Sequence, residues 1–311
     1  CSFPVCFFLA IASRVSSLLQ AVMLFKPSRK TLPESHNPYK ERTKTPFKGM
    51  VRRSTPADIL ETCIAPYKKL LDLRLPIEYQ LNDECCISTI SFSDRHVISY
   101  DPDLTLLPLT DKTRAIPSPI AIKDDKARLS SLVFELCRMH LAEKIDAVLS
   151  MPYLAGEENP METEFSFYHN QVVSMWSNDV LHQFWPELFV AHHQEYNKAF
   201  RVKWEFVNEH GDDPKDMLLT MLIIAQHHAN TLRHNLSLED ECFTLIERCN
   251  PVIAKNMGEF SHYWTSLPCI TYDRQKDMKH YERAVKRTAE LGCMKAKPEL
   301  MRKDGEWVWG I

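Results

Sequence analysis

Apolar residues recur every three or four positions along most of this chain, and they alternate only briefly. Between 55 and 71 the positions Ile59, Leu60, Cys63, Ile64, Tyr67, Leu70 and Leu71 keep helical spacing. Thr55-Pro-Ala-Asp58 ahead of them reads as a capping box, with Pro56 at the first helical position and Pro66 allowing a kink. Residues 86–92 and 96–100, split by Ser93-Asp94-Arg95, read as two strands of a hairpin. Residues 101–125 carry Pro102, Pro108, Pro117 and Pro119 and read as a loop, with room for a strand at 120–122. From 127 onward the period stays near that of a helix almost to the chain end. One long helix is predicted over 126–149 and a second over 161–185. A third opens at Pro186 and stops at Gly211; a fourth runs from Asp213 to about His234. A fifth is capped by Ser237-Leu-Glu-Asp240 and ended by Pro251, and a sixth covers 273–291 with Gly292 at its C-terminus.

This order predicts an α+β fold, mostly α-helical. A small antiparallel β-hairpin or sheet packs on a long buried helix and is followed by a helical bundle. The organisation expected is an α+β subdomain at 54–150 and a helical subdomain at 151–311, preceded by an apolar segment at 1–25 and a basic tail at 26–53.

Composition narrows the class. The 311 residues are 44% hydrophobic and 25% charged, which fits a globular protein and excludes collagen, a coiled-coil rod and a polytopic membrane protein. Seven glycines make a Rossmann or P-loop enzyme a poor expectation, because phosphate-cradling turns need Gly. No G-x-G-x-x-G, Walker A or G-x-S-x-G motif occurs.

Charge is uneven. Residues 26–53 hold nine Lys/Arg against Glu34 and Glu41, with four prolines, so they are expected to be disordered and to make at most weak contact with an anionic surface. No interleaved aromatics support a specific nucleic-acid module. Residues 1–25 are apolar but lack an initiator Met and a basic start. They read either as a signal-like segment or as part of a frame whose start is Met23 or Met50. The body is expected in the cytoplasm. The ten cysteines include no C-x-x-C, and the adjacent Cys85–Cys86 makes a poor disulfide, so buried reduced thiols are expected.

The stretch 127–149 is the one that carries chemistry. Leu129, Leu132, Val133, Leu136, Met139, His140 and Glu143 share one face, while Phe134, Leu141 and Ile145 lie opposite. A helix apolar all round is a buried helix, yet it holds Glu135, Arg138, His140 and Glu143, which must be paired or bind something. A helix, a hairpin and then a long helix bearing Phe134-Glu-Leu-Cys-Arg138 resembles the core of the zincin metallopeptidases. In that family the helix carries H-E-x-x-H, and the strand before it edges the substrate cleft. The resemblance covers about 55–150 and places Glu135 at the general-base position. Phe134 and Arg138 occupy the two His positions, and neither binds zinc. It therefore implies a zincin-like protein without its zinc ligands, a pseudoenzyme serving as a binding or scaffold domain for a protein or peptide partner. Arg138 is then expected to stand in for the metal and pair with Glu135, with His140 and Glu143 as further binding residues.

Two alternatives stay open. One is a helical interaction domain with no enzymatic ancestry, holding no cofactor. The other is a metal-dependent hydrolase with a non-standard zinc site, for which His140, Glu143 and His228 are the candidate ligands. His192 and His193 sit among aromatics; His227 and His234 read as sharing a wet helix face, with His228 at the edge of the apolar one. Glu157, Glu158, Glu162 and Glu164 form an acidic run expected to be solvated. The end, Glu306-Trp-Val-Trp-Gly310, is expected to dock onto the body.

Overall fold

The computed structural model describes residues 55–82, 87–100, 126–150, 162–194, 214–236 and 251–311, with 244 and 247 as isolated helical positions. The expectations for 1–25, 26–53, Cys85–Cys86, the loop at 101–125, Glu157, Glu158, the third helix beyond 194 and the fifth helix's cap at Ser237 fall outside these residues.

The first helix, α1 (Pro56–Leu70), begins as its sequence dictates: the Thr55 hydroxyl accepts from the Asp58 amide and the Asp58 carboxylate accepts from the Thr55 amide. It runs through Pro66 and buries Ile59, Leu60, Cys63 and Ile64. Strands β1 (Ile77–Leu81), β2 (Ile87–Ser91) and β3 (His96–Tyr100) form one sheet in the order β1-β3-β2. The predicted hairpin is β2–β3, antiparallel, with Ile87 opposite Tyr100 and Ser91 opposite His96. The parallel partner β1 is an addition that the pattern did not show. Among the described residues only one of its flanks pairs, and none of its five residues is fully buried, so its sequence lacks the alternation of a strand with a core face.

The long helix is shorter than expected. Helix α2 (Lys126–Lys144) ends before Asp146, whose carboxylate caps a 3₁₀ turn at Ala147–Leu149 by accepting from the Val148 amide. Its all-round burial holds: Leu129, Leu132, Val133, Phe134, Leu136, Met139 and Leu141 are all buried, as is Ile145 just beyond its end, and it packs on β2. Then come α3 (Glu162–Phe184), α4 (186–194), α5 (Pro214–Arg233), α6 (Pro251–Thr265) and α7 (Arg274–Leu291). Pro251 opens a helix rather than closing one, since proline fits a first turn that needs no N–H. Asp273 caps α7, its side chain accepting from the Lys276 amide.

Gly292 has a φ of −76°, and it is Cys293 that takes the left-handed conformation with φ 57°. Gly292 is required for space instead: a Cβ there would lie 2.1 Å from the Tyr168 hydroxyl, whose oxygen sits 3.1 Å from the Gly292 carbonyl. The chain ends in a hairpin, β4 (Glu299–Lys303) with β5 (Glu306–Gly310), where helix was expected to continue almost to the end. It docks as anticipated: Trp309 is fully buried against Phe165 and donates to the Tyr281 hydroxyl, which donates to the Val148 carbonyl. One apolar cluster spans residues from Ile59 to Trp309, so 54–150 and 151–311 share a core. No helix among the described residues is long and apolar enough to cross a membrane.

Candidate functional site

Each polar residue predicted on α2 has a defined partner, and those partners come from far along the chain. Glu143 accepts from the Arg74 amide at 2.9 Å, the Leu75 amide at 3.1 Å and His96 Nε2 at 3.1 Å. Burial raises its carboxyl, but the two amides and the His96 ring outweigh that and hold it below the ordinary carboxylate range. His96, wholly buried on β3, accepts from the Ser91 hydroxyl at Nδ1 and is held mainly neutral by burial. Glu143 therefore pins the turn before β1 to both α2 and β3. A Glu143→Ala variant leaves those donors without an acceptor and is expected to lose about 2–3 kcal/mol of stability, read by urea denaturation.

His140 is buried. Its Nδ1–H donates to the Leu71 carbonyl at 2.7 Å, and its Nε2 accepts from the Tyr272 hydroxyl at 3.1 Å. Burial pushes its pKa down, against the pull of that carbonyl. Glu135 accepts from the Thr89 hydroxyl of β2 at 2.6 Å. Arg138 donates to the Asn170 side chain at 3.1 Å and more weakly to the Ser150 carbonyl. The expected Glu135–Arg138 pair is absent among these contacts: the two groups point to different neighbours, β2 for one and α3 for the other. Phe134 stacks on His192 of α4, ring centres 4.7 Å apart and planes 21° apart.

These residues do not fit a zinc ion. Phe134 and Arg138 offer no lone pair, both His140 nitrogens are engaged, and Glu143 is spent on two amides and an imidazole. His140, Glu143 and His228 do not gather: among the described residues no group of three His, Cys, Asp or Glu side chains could hold a metal. Glu164 of the acidic run accepts from the Tyr168 hydroxyl.

His227 and His234 do not share the wet face that their spacing predicts. His227 is buried rather than wet, its ring stacked on His193 with centres 3.6 Å apart. Burial and the nearby rings of His193, His228 and His192 hold it far below its ordinary pKa. His234 is half-buried at the cleft, its ring set against His182 of α3 and Phe189 of α4.

A cleft that the sequence did not reveal lies beside His140. It is lined by Asp179, His182 and Gln183 of α3, Leu232, Arg233 and His234 at the end of α5, and Cys269 and Tyr272 of the 266–273 loop, with a volume of about 510 Å³. Arg233 forks onto both Asp179 oxygens at 2.7 Å and also donates to the Thr265 and Leu267 carbonyls. His234 Nε2 lies 3.2 Å from Asp179 Oδ1, off the line of a hydrogen bond. Burial raises the Asp179 carboxyl, and His234 and Arg233 outweigh it, so it is held low. The loop is fixed from below by Asp277, which accepts from the Thr271 amide and hydroxyl. Tyr272 sits on this loop with φ 61°, an uncommon conformation for a bulky residue, and its hydroxyl reaches His140. No single local pattern flags Asp179 and Arg233, which lie 54 residues apart. No protein-family model, curated protein or solved structure matches this chain.

Proposed function

We propose that this protein is a non-catalytic binding or scaffold domain built on a helix-and-hairpin unit similar to that of the zincin metallopeptidases, with its metal positions refilled. The observation that carries this reading is the fate of those positions. Phe134 is stacked on His192 and Arg138 is bonded to Asn170, while Glu135, in the general-base position, is turned to Thr89. The partner is a protein or peptide, and the face offered to it is the cleft beside His140. Six large apolar side chains are exposed among the described residues; Leu232 and Tyr272 of these line the cleft, and Phe184 stands edge-on to His140. Such clustering of apolar surface with a polar rim is the ordinary signature of an interaction site. A cytoplasmic body suits Cys63, Cys137, Cys269 and Cys293, all free thiols, although Cys269 and Cys293 are exposed rather than buried.

The test is metal content. After dialysis against a chelator the protein is expected to hold no stoichiometric zinc, iron or manganese by inductively coupled plasma mass spectrometry; stoichiometric metal would overturn the reading. The Phe134→His/Arg138→His variant recreates H-E-x-x-H on α2. That variant is expected to take up one zinc per chain. A folded variant that gains none would leave a helical interaction domain without metallopeptidase ancestry.

A further inference from the structure

We infer that the groove between α6 and α7 binds a small phosphate ester carrying two or more negative charges. The groove has a volume of about 630 Å³ and is lined by Tyr263 of α6 and by Lys279, Glu282, Arg283, Lys286, Arg287 and Glu290 of α7. Four cations face two carboxylates there, and the carboxylates are already committed. Glu282 pairs with Lys286 at 2.7 Å and Glu290 with Arg287 at 3.0 Å. Lys279 and Arg283 make no ion pair among the described residues, and both are exposed. The half-buried Tyr263 lies within the electrostatic reach of Arg283 and Arg287, and its hydroxyl makes no hydrogen bond among the described residues. An ammonium, a guanidinium and a phenol thus line one concavity with their hydrogen-bonding capacity unspent.

Charge distribution sharpens the point. Residues 274–311 carry ten Lys/Arg against six Asp/Glu, whereas 54–273 carry 18 against 33. The groove lies on a cationic stretch, whereas residues 54–273 are acidic in sum, so its field attracts a compact anion. Lys279 and Arg283, the two cations outside the ion pairs, stand at i and i+4 on one helix face, about 6 Å apart along the axis. That length suits a diphosphate ester. It is short for a nucleic-acid strand, and Glu282 and Glu290 interrupt the cationic track. Arg is the side chain whose planar fork matches phosphate oxygens, and the Tyr263 ring offers a wall for an attached group. This inference goes beyond the reading of α2 and does not rest on it.

The experiment is calorimetric titration of the full chain with inorganic pyrophosphate, at low and at moderate salt. Saturable 1:1 binding is expected, weakened about tenfold by Arg283→Ala and similarly by Lys279→Ala, the equivalent of one lost charge-assisted hydrogen bond. Lys255→Ala, an exposed cation of α6 outside the groove, is expected to leave the affinity unchanged. Circular dichroism of each variant checks that α7 is intact. The inference is overturned by absence of saturable binding, or by equal losses in all three variants, which would indicate nonspecific charge attraction. Binding of a single-stranded oligonucleotide without binding of pyrophosphate would also overturn it and point to a nucleic-acid surface.

Discussion

An Arg233→Ala variant is expected to be less stable than the parent chain by about 3–5 kcal/mol, the range for breaking one partner out of a buried ion pair. Arg233 and Asp179 are both largely enclosed, their side chains 8% and 15% exposed, so removing the guanidinium strands a carboxylate away from water. The same change removes the donors to the Thr265 and Leu267 carbonyls at the end of α6. The loop that follows holds Tyr272 against His140, so its ordering is expected to loosen together with the cleft. Urea denaturation followed by circular dichroism measures the loss. The Asp179→Asn/Arg233→Met double variant is expected to recover much of it, because it removes both charges at once. A single-variant loss below about 1 kcal/mol would mean that the pair behaves as an exposed surface pair.

The second large effect is acid lability. His169 is fully buried, donates to the Val148 carbonyl and has its pKa pushed down to about 3 by burial. An unfolded histidine titrates near 6.5. Between those values the unfolded chain binds a proton that the folded chain does not, so the stability contributed by neutral His169 is complete above pH ~6.5 and falls as pH drops toward 3. From His169 alone the loss between pH 6.5 and pH 5 is about 2 kcal/mol. His96, His140 and His227 are shifted in the same direction, by burial first, and add to it. Glu143 joins only in stronger acid: its folded pKa is depressed, so its contribution is present above the unfolded carboxylate value of ~4.3 and is lost as pH falls through the folded one. Chemical denaturation across pH 7 to 4 tests this. His169→Gln is expected to reduce the slope of stability against pH by about one proton. An unchanged slope would show that His169 is already protonated in the folded chain.

Much of this architecture is legible in local pattern. Thr55 and Asp58 announce α1, Asp273 announces α7, and the two short runs split by Ser93-Asp94-Arg95 predict the β2–β3 hairpin. The all-round apolar α2 predicts its own burial and marks Glu135, Arg138, His140 and Glu143 as residues in need of partners. Where expectation and structure part, the cause is an interaction that periodicity does not carry. Pro251 reads as a helix stop, yet it opens α6, which packs on α5. His227 reads as wet because its neighbours on one helix are polar, but α4 lays His193 over it.

Taken by itself, the sequence determined the helical majority, the caps, the hairpin and the buried status of α2, because hydrogen bonds within a turn and a hydrophobic face are decided by residues a few positions apart. Tertiary structure alone decided the partners. His140 meets Tyr272 across 132 residues, Glu143 meets Arg74 across 69, and Asp179 meets Arg233 across 54. The same holds for the cleft beside His140 and the cationic groove on α7. Both exist only where separate helices are brought together by the shared core, and no local spacing encodes that meeting.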